Sequence, residues 1–580
     1  MASKTTYEYY GDNFKKMSPL RAVAQSLLFH RNDKSRIEVV SARRAYELAR
    51  FQSSVTVTDM PVYEEARKRF SLPENACILN DNHGAIVGRN AGARKFYNKS
   101  DSNTKAQLEE IAREAVFALQ KKSLLQGNAI VGLDSDLMIK ASMITLESDA
   151  NNLWNWLHNF MPYELYEEEY KKSKVLPIQD ILVIADPEWT PTKPEYKEGL
   201  VIVDPYENVI FSLGMRYFGE RKKGTLTLAW TSGMRLGHIA CHAGIKEIDF
   251  SQCKEEKFHK LQKRSIAFFG LSGSGKSSQT NSHDHAGSLP EGFVRTILHD
   301  DAFQIDLKER VCRVWEPTLF DKTDSRDFSH PDWKYCISSQ NNAIMDINGK
   351  LYILGMDVRN GNGRAIFDRD LLGKNAYVNR CGFPHAICWL MKDETLPPVL
   401  KFSDTALAVA MGSTLMTKRT AAENVSLEEM KKLVFEPFAN PFRVYELYKD
   451  CEGFMRIFEA GASCYCFNSG FFWTQEGKPE VKIPLKTSLR LSTAILCDEL
   501  EWEPWEMLKG AMVPTKESIE PILPGYYELY NTKNLKEQIA YRTLFLDRFQ
   551  QRHGFLKHSD LIEKPDLLAN LLQSLQANVS

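Results

Sequence analysis

The sequence has no apolar run close to the roughly 20 residues that a membrane-spanning helix needs, and no internal repeat or low-complexity segment. The opening residues, MASKTTYEYYGDNFKKM, contain no apolar stretch of the kind found in secretory signals. The formal net charge over 580 residues is −1, so no global field attracts nucleic acid or an anionic membrane. These absences predict a cytoplasmic protein that binds neither nucleic acid nor membrane.

The sequence also lacks the paired cysteine spacings of a disulfide framework, although it has 11 cysteines. The two groups nearest to a metal-binding pattern are Cys464-Tyr-Cys466 and Cys381…His385…Cys388, and neither has a matching second pair. We therefore expect reduced, mostly buried thiols. The composition is otherwise ordinary for a globular protein, and the length suffices for two or three domains.

The most informative stretch is residues 265–278, SIAFFGLSGSGKSS. Residues 265–269 form a short apolar run bounded by glycine, which predicts a buried strand. The run enters a G-x-x-x-x-G-K-[ST] motif, in which glycines let backbone N–H groups converge on a phosphate. Lys276 supplies positive charge for the β and γ phosphates, and the Ser277 hydroxyl can ligate a divalent cation. The motif predicts a phosphate-binding loop formed by Gly270, Ser272, Gly273, Ser274, Gly275, Lys276, Ser277 and Ser278.

The segment after this loop, QTNSHDHAGSLPEG, is polar and broken by glycine and proline. We therefore expect any helix after Ser277 to last only a turn or two, unlike that of ordinary P-loop folds. VRTIL then predicts a strand that leads into His299-Asp300-Asp301. Two carboxylates at a strand end near a phosphate loop suit a magnesium nucleotide. Because adjacent strand residues point to opposite faces, one can reach the metal while the other orients a metal-bound water or the loop.

Three other stretches carry candidate ligands. Arg89 lies among small residues in VGRNAGARKF, where a turn can expose its guanidinium to an anion, although a plain surface arginine fits as well. Lys222 and Lys223 lie in YFGERKKG before the strand-like TLTLAW. This lysine pair is either a charged hairpin tip or an anion site, and a desolvated lysine can lose its proton and ligate a metal. His238 and His242 on GHIACHAG are candidate ligands or core histidines.

The surrounding patterns predict a mixed α/β protein. Residues 104–107 form a T-x-x-Q capping box, followed at helical spacing by the core positions Leu108, Ile111, Ala112, Ala115, Val116 and Leu119. ILVIAD, GLVIVD and NVIFSLGM alternate with Pro/Gly turns and predict strands of a mixed sheet. EVKIPLKTS, residues 480–488, predicts a basic strand and turn that can face a nucleotide base. The sequence after residue 532 predicts a helix and a helical tail.

Taken together, these stretches resemble the ATP-dependent phosphoenolpyruvate carboxykinases. FFGLSGSGKSS resembles that family's FFGLSGTGKTT, and YFGERKKG resembles its Y-x-G-E-x-KKG segment. His242 lies 19 residues after Lys223, the separation at which the family places its metal histidine. VGRNAGARKF, NGNGR and CFNSGFF are similar to its TGRSPKDKF, ENTR and VNTGWN. The order and rough spacing hold from about residue 77 to about residue 555.

The resemblance implies a role for each matched residue. The metal ligands at the transferred phosphoryl group would be Lys223, His242 and Asp301, with Ser277 on the magnesium that accompanies ATP and Asp300 in support. Arg89 and Arg364 would bind the carboxylate and phosphate of the substrate, Tyr217 would line the carbon dioxide end, and Lys222 would add positive charge. Lys482 and Ser488 fall near the nucleoside contacts. A lysine that ligates a cation must be neutral, so the resemblance implies a strongly depressed pKa for Lys223.

The resemblance also implies the fold and the reaction. The fold would be a two-domain α/β protein, with a mixed-sheet N-terminal domain at residues 76–250 and a P-loop mononucleotide-binding domain at 251–555. The active site would lie in the cleft between the domains. Residues 1–75 have no counterpart in the family pattern, and their polar, helix-prone sequence predicts an N-terminal extension that is helical or of uncertain structure, while residues 556–580 form a C-terminal tail. The enzyme would use ATP, Mg²⁺ and Mn²⁺ to convert oxaloacetate into phosphoenolpyruvate, CO2 and ADP. Metal and arginine charges would stabilise the enolate left by decarboxylation. A monomer or small homo-oligomer is expected.

Several departures from the family pattern leave alternatives open. The family's HCSAN is here His242-Ala-Gly-Ile-Lys, its GDDEHGW is His299-Asp-Asp-Ala-Phe-Gln, and the gap before Asp301 is lengthened by residues 283–285, His-Asp-His. That insertion is a metal-binding segment, a lid-like segment or a solvated loop. One alternative function is a kinase on the same scaffold that phosphorylates a protein serine or another small acid. The loop would also suit a protein kinase/phosphorylase of the HPr type or an adenylylsulfate kinase. Another alternative is a nucleotide-binding regulator without catalysis.

Overall fold

The computed structural model describes residues 17–28, 37–81, 91–271, 273–281, 289–324, 326–355, 357, 361–369, 376–418, 432–475 and 478–578. In these residues the α-helices are α1 (Pro19–Ser26), α2 (Ala42–Ala49), α3 (Glu64–Arg69), α4 (Ser102–Leu119), α5 (Ala150–Asn159), α6 (Tyr163–Lys172), α7 (Phe218–Arg235), α8 (Lys276–Asn281), α9 (Thr405–Ser413), α10 (Leu447–Glu459), α11 (Leu485–Leu496), α12 (Lys516–Ile519), α13 (Tyr526–Leu529), α14 (Ile539–Lys557) and α15 (Pro565–Ser574).

The strands of the described residues are short and numerous. In chain order they are β1 (Ile37–Val39), β2 (Val55–Pro61), β3 (Cys77–Asp81), β4 (Arg94–Phe96), β5 (Leu124–Val131), β6 (Ile139–Leu146), β7 (Met161–Pro162), β8 (Ile181–Asp186), β9 (Leu200–Asp204), β10 (Val209–Leu213), β11 (Ile239–Cys241), β12 (Ala243–Asp249), β13 (Lys263–Phe269), β14 (Val294–His299), β15 (Phe303–Asp306), β16 (Val311–Val314), β17 (Thr318–Lys322), β18 (Cys336–Gln340), β19 (Ala343–Ile347), β20 (Lys350–Leu354), β21 (Arg364–Asp368), β22 (Ala376–Tyr377), β23 (Arg380–Gly382), β24 (Ala386–Met391), β25 (Val399–Phe402), β26 (Met416–Lys418), β27 (Leu433–Phe435), β28 (Ser463–Asn468), β29 (Phe471–Phe472), β30 (Val481–Lys482), β31 (Trp502–Pro504) and β32 (Ala511–Pro514).

The chain divides into two compact units, each assembled from separate segments. The first unit takes its elements from Met1–Leu236 and Trp315–Gly373, and the second from Gly237–Val314, Lys374–Thr420 and Val425–Ser580. Both units contain mixed sheets with packed helices, so the predicted α/β class is confirmed.

The first unit is built on an eight-stranded mixed sheet with the order β1-β5-β6-β8-β10-β9-β4, with β7 on β5. The strands predicted in ILVIAD, GLVIVD and NVIFSLGM are confirmed as β8, β9 and β10. β8 and β10 are parallel, whereas β9 and β10 are antiparallel. A second, five-stranded sheet has the order β17-β21-β18-β3-β2. Phe320 lies on β17 and Arg364 on β21 of this second sheet.

Helix α4 covers one face of the large sheet of the first unit. All six predicted core positions of this helix are buried, in one cluster with apolar residues of β8, β9 and β10. The predicted capping box is wrong, because the helix begins at Ser102 and is capped by Asp101, whose carboxylate accepts from the Thr104 N–H at 2.9 Å. Thr104 therefore lies inside the first turn, where its own hydroxyl also donates to Asp101.

The strand predicted in TLTLAW and the hairpin tip considered for the lysine pair are both wrong, because these residues belong to α7. Almost the whole helix is buried. A helix that is buried on all sides has no polar face, so its sequence shows no 3.6-residue period of apolar residues. The alternating Thr and Leu residues before Trp230 therefore gave the two-residue period that is typical of a strand. The turn predicted in EVKIPLKTS is also shorter than expected, because α11 begins at Leu485 and contains Ser488.

The second unit is built on a nine-stranded mixed sheet with the order β22-β14-β12-β13-β24-β28-β25-β32-β31. The strands predicted at residues 265–269 and in VRTIL are confirmed as parts of β13 and β14. A four-stranded sheet with the order β11-β15-β16-β23 belongs to the same unit. The predicted helix and helical tail near the end of the chain correspond to α14 and α15.

All eleven cysteines are free thiols, and ten of them are buried. This arrangement agrees with the predicted reduced, buried thiols. Among the described helices, none combines the length and the apolar character needed to cross a bilayer.

The buried ion pair between Arg552 of α14 and Asp393 gives a test of the second unit's packing. Arg552 Nη2 lies 2.9 Å from Asp393 Oδ2, and both side chains are fully buried. Arg552→Met would leave the Asp393 carboxylate buried without its counter-charge, which should cost about 3–5 kcal/mol of unfolding free energy. Chemical denaturation of the full chain, followed by tryptophan fluorescence, measures this loss.

The matched control is Arg548→Met, four residues earlier on the same helix. Arg548 pairs with the half-exposed Glu394 at 3.0 Å, and such pairs contribute at most about 1 kcal/mol. Equal denaturation midpoints for the two variants would contradict the assigned importance of the Arg552–Asp393 pair.

Candidate active site

Strand β12 gathers three of the predicted site segments at one edge of the second unit's sheet. It pairs antiparallel with β13, with Ala243 opposite Phe269, and antiparallel with β14, with Ile245 opposite His299. The start of β12 therefore lies at the same edge as the ends of β13 and β14. That edge carries His242, the glycine-rich loop after Phe269, and the Asp300-Asp301 pair.

The glycine-rich loop turns sharply between β13 and α8. Gly273 and Gly275 have φ of 79° and 92°, in the left-handed region that favours glycine. A Cβ at Gly270 would overlap the Ser274 hydroxyl, which donates to the Leu271 carbonyl at 2.7 Å. Ser277 is half-buried and Ser278 exposed at the start of α8, whereas Ser272 lies outside the described residues. The predicted short helix after the loop agrees with the six residues of α8.

Lys276, His242 and Asp301 meet at this edge. Lys276 Nζ lies 3.0 Å from Asp301 Oδ1, and His242 Nε2 lies 3.2 Å from the same oxygen. Lys276 and His242 are largely buried, at 8% and 7% exposure. One carboxylate oxygen thus faces two nitrogen-bearing groups in a partly dry environment, where charge interactions are strengthened.

The orientation of His242 is fixed from the other side of its ring. His242 Nδ1 lies 2.5 Å from the Ala439 carbonyl oxygen, which can only accept, so Nδ1 carries the proton and Nε2 is directed at Asp301. Phe442 packs edge-on against the imidazole, with ring centroids 5.3 Å apart. A backbone carbonyl is one of the usual acceptors for Nδ1–H of a histidine that binds metal through Nε2.

The residues that hold His242 were missed from the sequence. Phe438 and Ala439 both have φ of 52°, which side chains other than glycine adopt at a cost. Stacking of Phe438 on Phe454, with centroids 4.5 Å apart, helps to hold this conformation. The aromatic, proline-broken FEPFANPF stretch was visible in the sequence, but nothing in it indicated contact with a histidine almost 200 positions away.

Asp300 is hydrogen-bonded to the helix that follows the loop. The Asn281 side chain, at the end of α8, donates to Asp300 Oδ2 at 3.2 Å. Gly244 of β12 is crowded between these elements, because a Cβ there would overlap Thr280 Oγ1 and lie 3.2 Å from the Asp300 Cα. Asp300 therefore ties the end of β14 to the helix that follows the loop.

Lys246 links β12 to α8 through a hydrogen bond. This side chain is fully buried, and its Nζ donates to the Gln279 carbonyl at 2.6 Å, in the last turn of the helix. Burial lowers the pKa of Lys246 well below its usual value, and the positive charge of Arg295 lowers it further. The residue stands where the related family has asparagine, and here it satisfies a helix-end carbonyl.

In the first unit, three predicted residues surround the ring of Phe320. The Tyr217 ring centroid lies 6.4 Å from that of Phe320, Lys222 Nζ lies 5.7 Å from it and Arg364 Cζ 5.6 Å. Arg364 is half-buried and donates through Nε to Asn362 Oδ1 at 3.0 Å. Phe320 was missed from the sequence because its neighbours Tyr217, Lys222 and Arg364 lie on other elements, and the fold alone brings them to its ring.

The charge of Lys222 is neutralised inside the first unit. Its Nζ lies 2.8 Å from Glu316 Oε1 with both side chains fully buried, and Asn159 donates to Glu316 Oε2 at 2.8 Å. Lys223 is half-buried on α7, with its Nζ 6.0 Å from the Trp230 ring centroid. Metal ligation by Lys223 and its depressed pKa stay predictions.

The remaining predicted residues lie away from these clusters or outside the described residues. Lys482 is exposed on β30, and Ser488 is buried in α11, whose Leu485 Cδ1 lies 3.7 Å from the position of a Cβ at Gly275. Arg89 and the His-Asp-His insertion at 283–285 lie outside the described residues. In the part of the chain that is described, no cluster of three or more His, Cys, Asp or Glu side chains suits a metal ion.

Part of the chain matches a known protein family. Residues 86–314 match the family model described as phosphoenolpyruvate carboxykinase. The predicted relationship to the ATP-dependent carboxykinases is confirmed over this span. The span covers about two fifths of the chain and includes the glycine-rich loop, His242 and Asp301. No curated protein is matched by the chain.

The carboxykinase family implies the use of ATP and a divalent cation. His242 Nε2 and Asp301 Oδ1 fit such a cation by type, since imidazole nitrogen and carboxylate oxygen both ligate manganese-like ions. Their separation of 3.2 Å lets both reach one ion. Lys276 competes for the same carboxylate oxygen, so the cation is accommodated best when the lysine charge is engaged elsewhere.

The close packing around Gly244 gives a test of how strongly β12 and α8 are coupled. Gly244→Ala should displace Thr280, whose hydroxyl donates to the Lys276 carbonyl at 3.0 Å, and should cost about 1–3 kcal/mol of stability through overpacking. ATP affinity should fall as well, because α8 carries Lys276. Thermal unfolding and calorimetric ATP titration measure the two effects.

Gly554→Ala on α14 serves as the matched control, because no atom lies within 4 Å of a Cβ built at Gly554. This variant should unfold at or above the wild-type temperature. Normal ATP binding and stability in Gly244→Ala would show that β12 and α8 are less closely coupled than their contacts indicate.

Proposed function

We propose that the protein is an ATP-dependent, metal-requiring carboxykinase that converts oxaloacetate into phosphoenolpyruvate, CO2 and ADP. The observation that carries the proposal is the meeting of Lys276, His242 and Asp301 beside the glycine-rich loop. The carboxykinase family match over residues 86–314 supports the same reaction.

In the proposed reaction the second unit binds the nucleotide as a P-loop domain. The backbone N–H groups of the loop and the Lys276 ammonium would hold the ATP phosphates. Ser277 would ligate the Mg²⁺ that accompanies ATP, and His242 and Asp301 would ligate Mn²⁺, with Lys223 as a further ligand. The divalent cation supplies charge stabilisation for the transferred phosphoryl group when bound.

The first unit binds the organic acid in this proposal. Arg364 would pair with a carboxylate or phosphate of the substrate, and Arg89 with the other anionic group. Tyr217 is 5% exposed and packs near Phe320, so it offers an apolar wall with a hydroxyl for the carbon dioxide end. Fixed cations in a water-poor setting stabilise the enolate that decarboxylation leaves.

The departures from the family pattern around His242 leave in place the imidazole, carboxylate and ammonium groups that the proposed reaction needs. Gly244 and Lys246 fill packing roles between β12 and α8, and neither replaces a charged group of the proposed site. Ala302 and Phe303, which follow the aspartates, are buried. The sequence differences near His242 and Asp301 therefore favour changed packing around the same proposed metal and nucleotide ligands. They do not favour a different phosphoryl acceptor.

The direct test is a coupled assay with oxaloacetate, ATP, Mg²⁺ and Mn²⁺ that follows phosphoenolpyruvate. Wild-type protein should form product only with a divalent cation present. Lys276→Ala should lower kcat by about 100-fold or more, because it removes a fixed charge that acts on the transferred phosphoryl group.

Lys263→Ala is the matched control, since Lys263 is exposed at the other end of the same strand, β13. Its activity should equal that of the wild type. ATP binding by calorimetry without any phosphoenolpyruvate would overturn the proposed acceptor and favour a kinase with another substrate or a regulator.

A further inference from the structure

The first turn of α7 takes a hydrogen-bond acceptor from a distant part of the first unit. Tyr217 precedes the helix and provides no side-chain cap, although the first N–H groups of a helix have no acceptor within it. The Gln340 side chain at the end of β18 fills this place, because its Oε1 accepts from the Phe218 N–H at 3.1 Å. Gln340 is 1% exposed, so water does not compete for this bond. A residue 122 positions away thus caps the helix that carries Lys222 and Lys223.

Asp81 determines which way the Gln340 amide points. The register of β3 and β18 pairs these two residues directly, and Gln340 Nε2 donates to Asp81 Oδ2 at 2.8 Å. A carboxylate accepts hydrogen bonds and cannot donate them, so the amide NH2 group must face Asp81 and the amide oxygen must face Phe218. Ser54 donates to the other carboxylate oxygen at 3.1 Å. The cap on α7 therefore depends on a carboxylate that is two hydrogen bonds away.

Gln340 also lies directly beside Arg364 in the sheet. β18 and β21 are antiparallel neighbours, and their register pairs the two residues. The Phe218 ring packs edge-on against Phe320, with centroids 5.2 Å apart, and Phe320 is the ring around which Tyr217 and Arg364 are grouped. One buried side chain thus links the start of α7 to the strand that carries Arg364.

We propose that Asp81 and Gln340 are positioning residues, which hold the start of α7, and with it Tyr217, in a fixed place relative to Arg364. The assignment rests on the proposed function, in which Tyr217 and Arg364 bind the same small substrate. An error in the relative placement of two such groups lowers the rate even when both groups are intact. Neither Asp81 nor Gln340 belongs to the motifs that indicated the family.

The surroundings of Asp81 make this arrangement sensitive to pH. Burial raises the pKa of Asp81 to about 6, and the nearby charge of Asp149 contributes to the rise. Asp149 is itself paired with the buried Arg221 of α7. The rise is opposed by hydrogen bonds to the Asp81 carboxylate from Gln340, Ser54 and Asn151.

Protonation of Asp81 removes the reason for the amide orientation. The protonated carboxyl group has an O–H that can donate to Gln340 Oε1, and the amide then turns its NH2 group toward the Phe218 N–H. Two donors face each other in that arrangement, so the cap on α7 is lost. The positioning role therefore belongs to the ionised form of Asp81.

The first test is Gln340→Met, which keeps the length of the side chain and removes both of its hydrogen bonds. The value of kcat/KM for oxaloacetate should fall by about tenfold or more, because a small misplacement of a positioned group has an effect of that size. ATP affinity, measured by calorimetry, should stay at the wild-type value, since the glycine-rich loop belongs to the second unit.

Gln126→Met is the matched control. Gln126 is a buried amide on β5 of the same unit, and it donates to Asn128 Oδ1 at 2.9 Å. This variant should lower the unfolding temperature and leave kcat/KM unchanged. A loss of kcat/KM equal to that of Gln340→Met would overturn the positioning role, because any buried amide would then have the same effect.

The pH dependence separates positioning from a general loss of stability. In wild type, kcat/KM for oxaloacetate should decline as Asp81 takes up a proton between about pH 7 and pH 5. Asp81→Asn keeps an oxygen that accepts from the Gln340 amide but has no proton to gain, so its decline should be shallower. Profiles of the same shape in the two proteins would overturn the proposal.

Hydrogen exchange of the ligand-free chain, followed by mass spectrometry, gives a measurement that does not depend on turnover. Amides at the start of α7 should exchange about tenfold or more faster in Gln340→Met than in wild type, because the cap is lost. In Gln126→Met they should exchange at the wild-type rate.

Failure of this inference and failure of the proposed function give different results. If wild type forms phosphoenolpyruvate and Gln340→Met keeps the wild-type kcat/KM, the positioning role is wrong and the carboxykinase stands. If wild type forms none and Gln340→Met still speeds exchange at the start of α7, the link through Gln340 stands and the carboxykinase does not. Wild-type exchange rates in Gln340→Met would overturn the link in either case.

Discussion

The double antiparallel pairing of β12 is the constraint on which the candidate site depends. Because β12 runs against both β13 and β14, the residue that precedes it lies beside the residues that follow them. A single register thus places His242, the glycine-rich loop and Asp301 at one edge of the sheet. A shift of that register by one residue would turn the β12 side chains to the opposite face and separate these groups.

The same pairing accounts for the contacts of two residues that follow His242, Gly244 and Lys246. Gly244 is needed because Thr280 and the Asp300 backbone approach β12 too closely for a side chain. Lys246 is tolerated in the interior because Gln279 accepts its hydrogen bond and burial favours its neutral form. Both of these departures from the family pattern lie where β12 contacts the helix after the loop.

Local signals predicted the parts of the site that are continuous in sequence. The β13 strand, the loop glycines, the short α8 and the β14 strand before Asp300 each follow from apolar runs and turn residues. The α7 helix was mistaken for a strand because burial on all sides removed its period. Phe320 and Ala439 could not be predicted, since each acts through contacts with residues distant in sequence, and no local pattern encodes such contacts.

Asp301 Oδ1 lies beside both Lys276 and His242, and this shared position implies that ATP binding and cation binding are linked in the proposed reaction. Without ligands, Lys276 and His242 both face Asp301 Oδ1, so the lysine charge is already compensated. When Lys276 turns its ammonium to nucleotide phosphates, that oxygen loses its cation and gains affinity for another. Nucleotide and divalent cation should therefore strengthen each other's binding, and linkage requires the effect to be equal in both directions. In the proposed reaction, the Asp301 carboxylate would thus exchange the Lys276 ammonium for the divalent cation as the nucleotide binds.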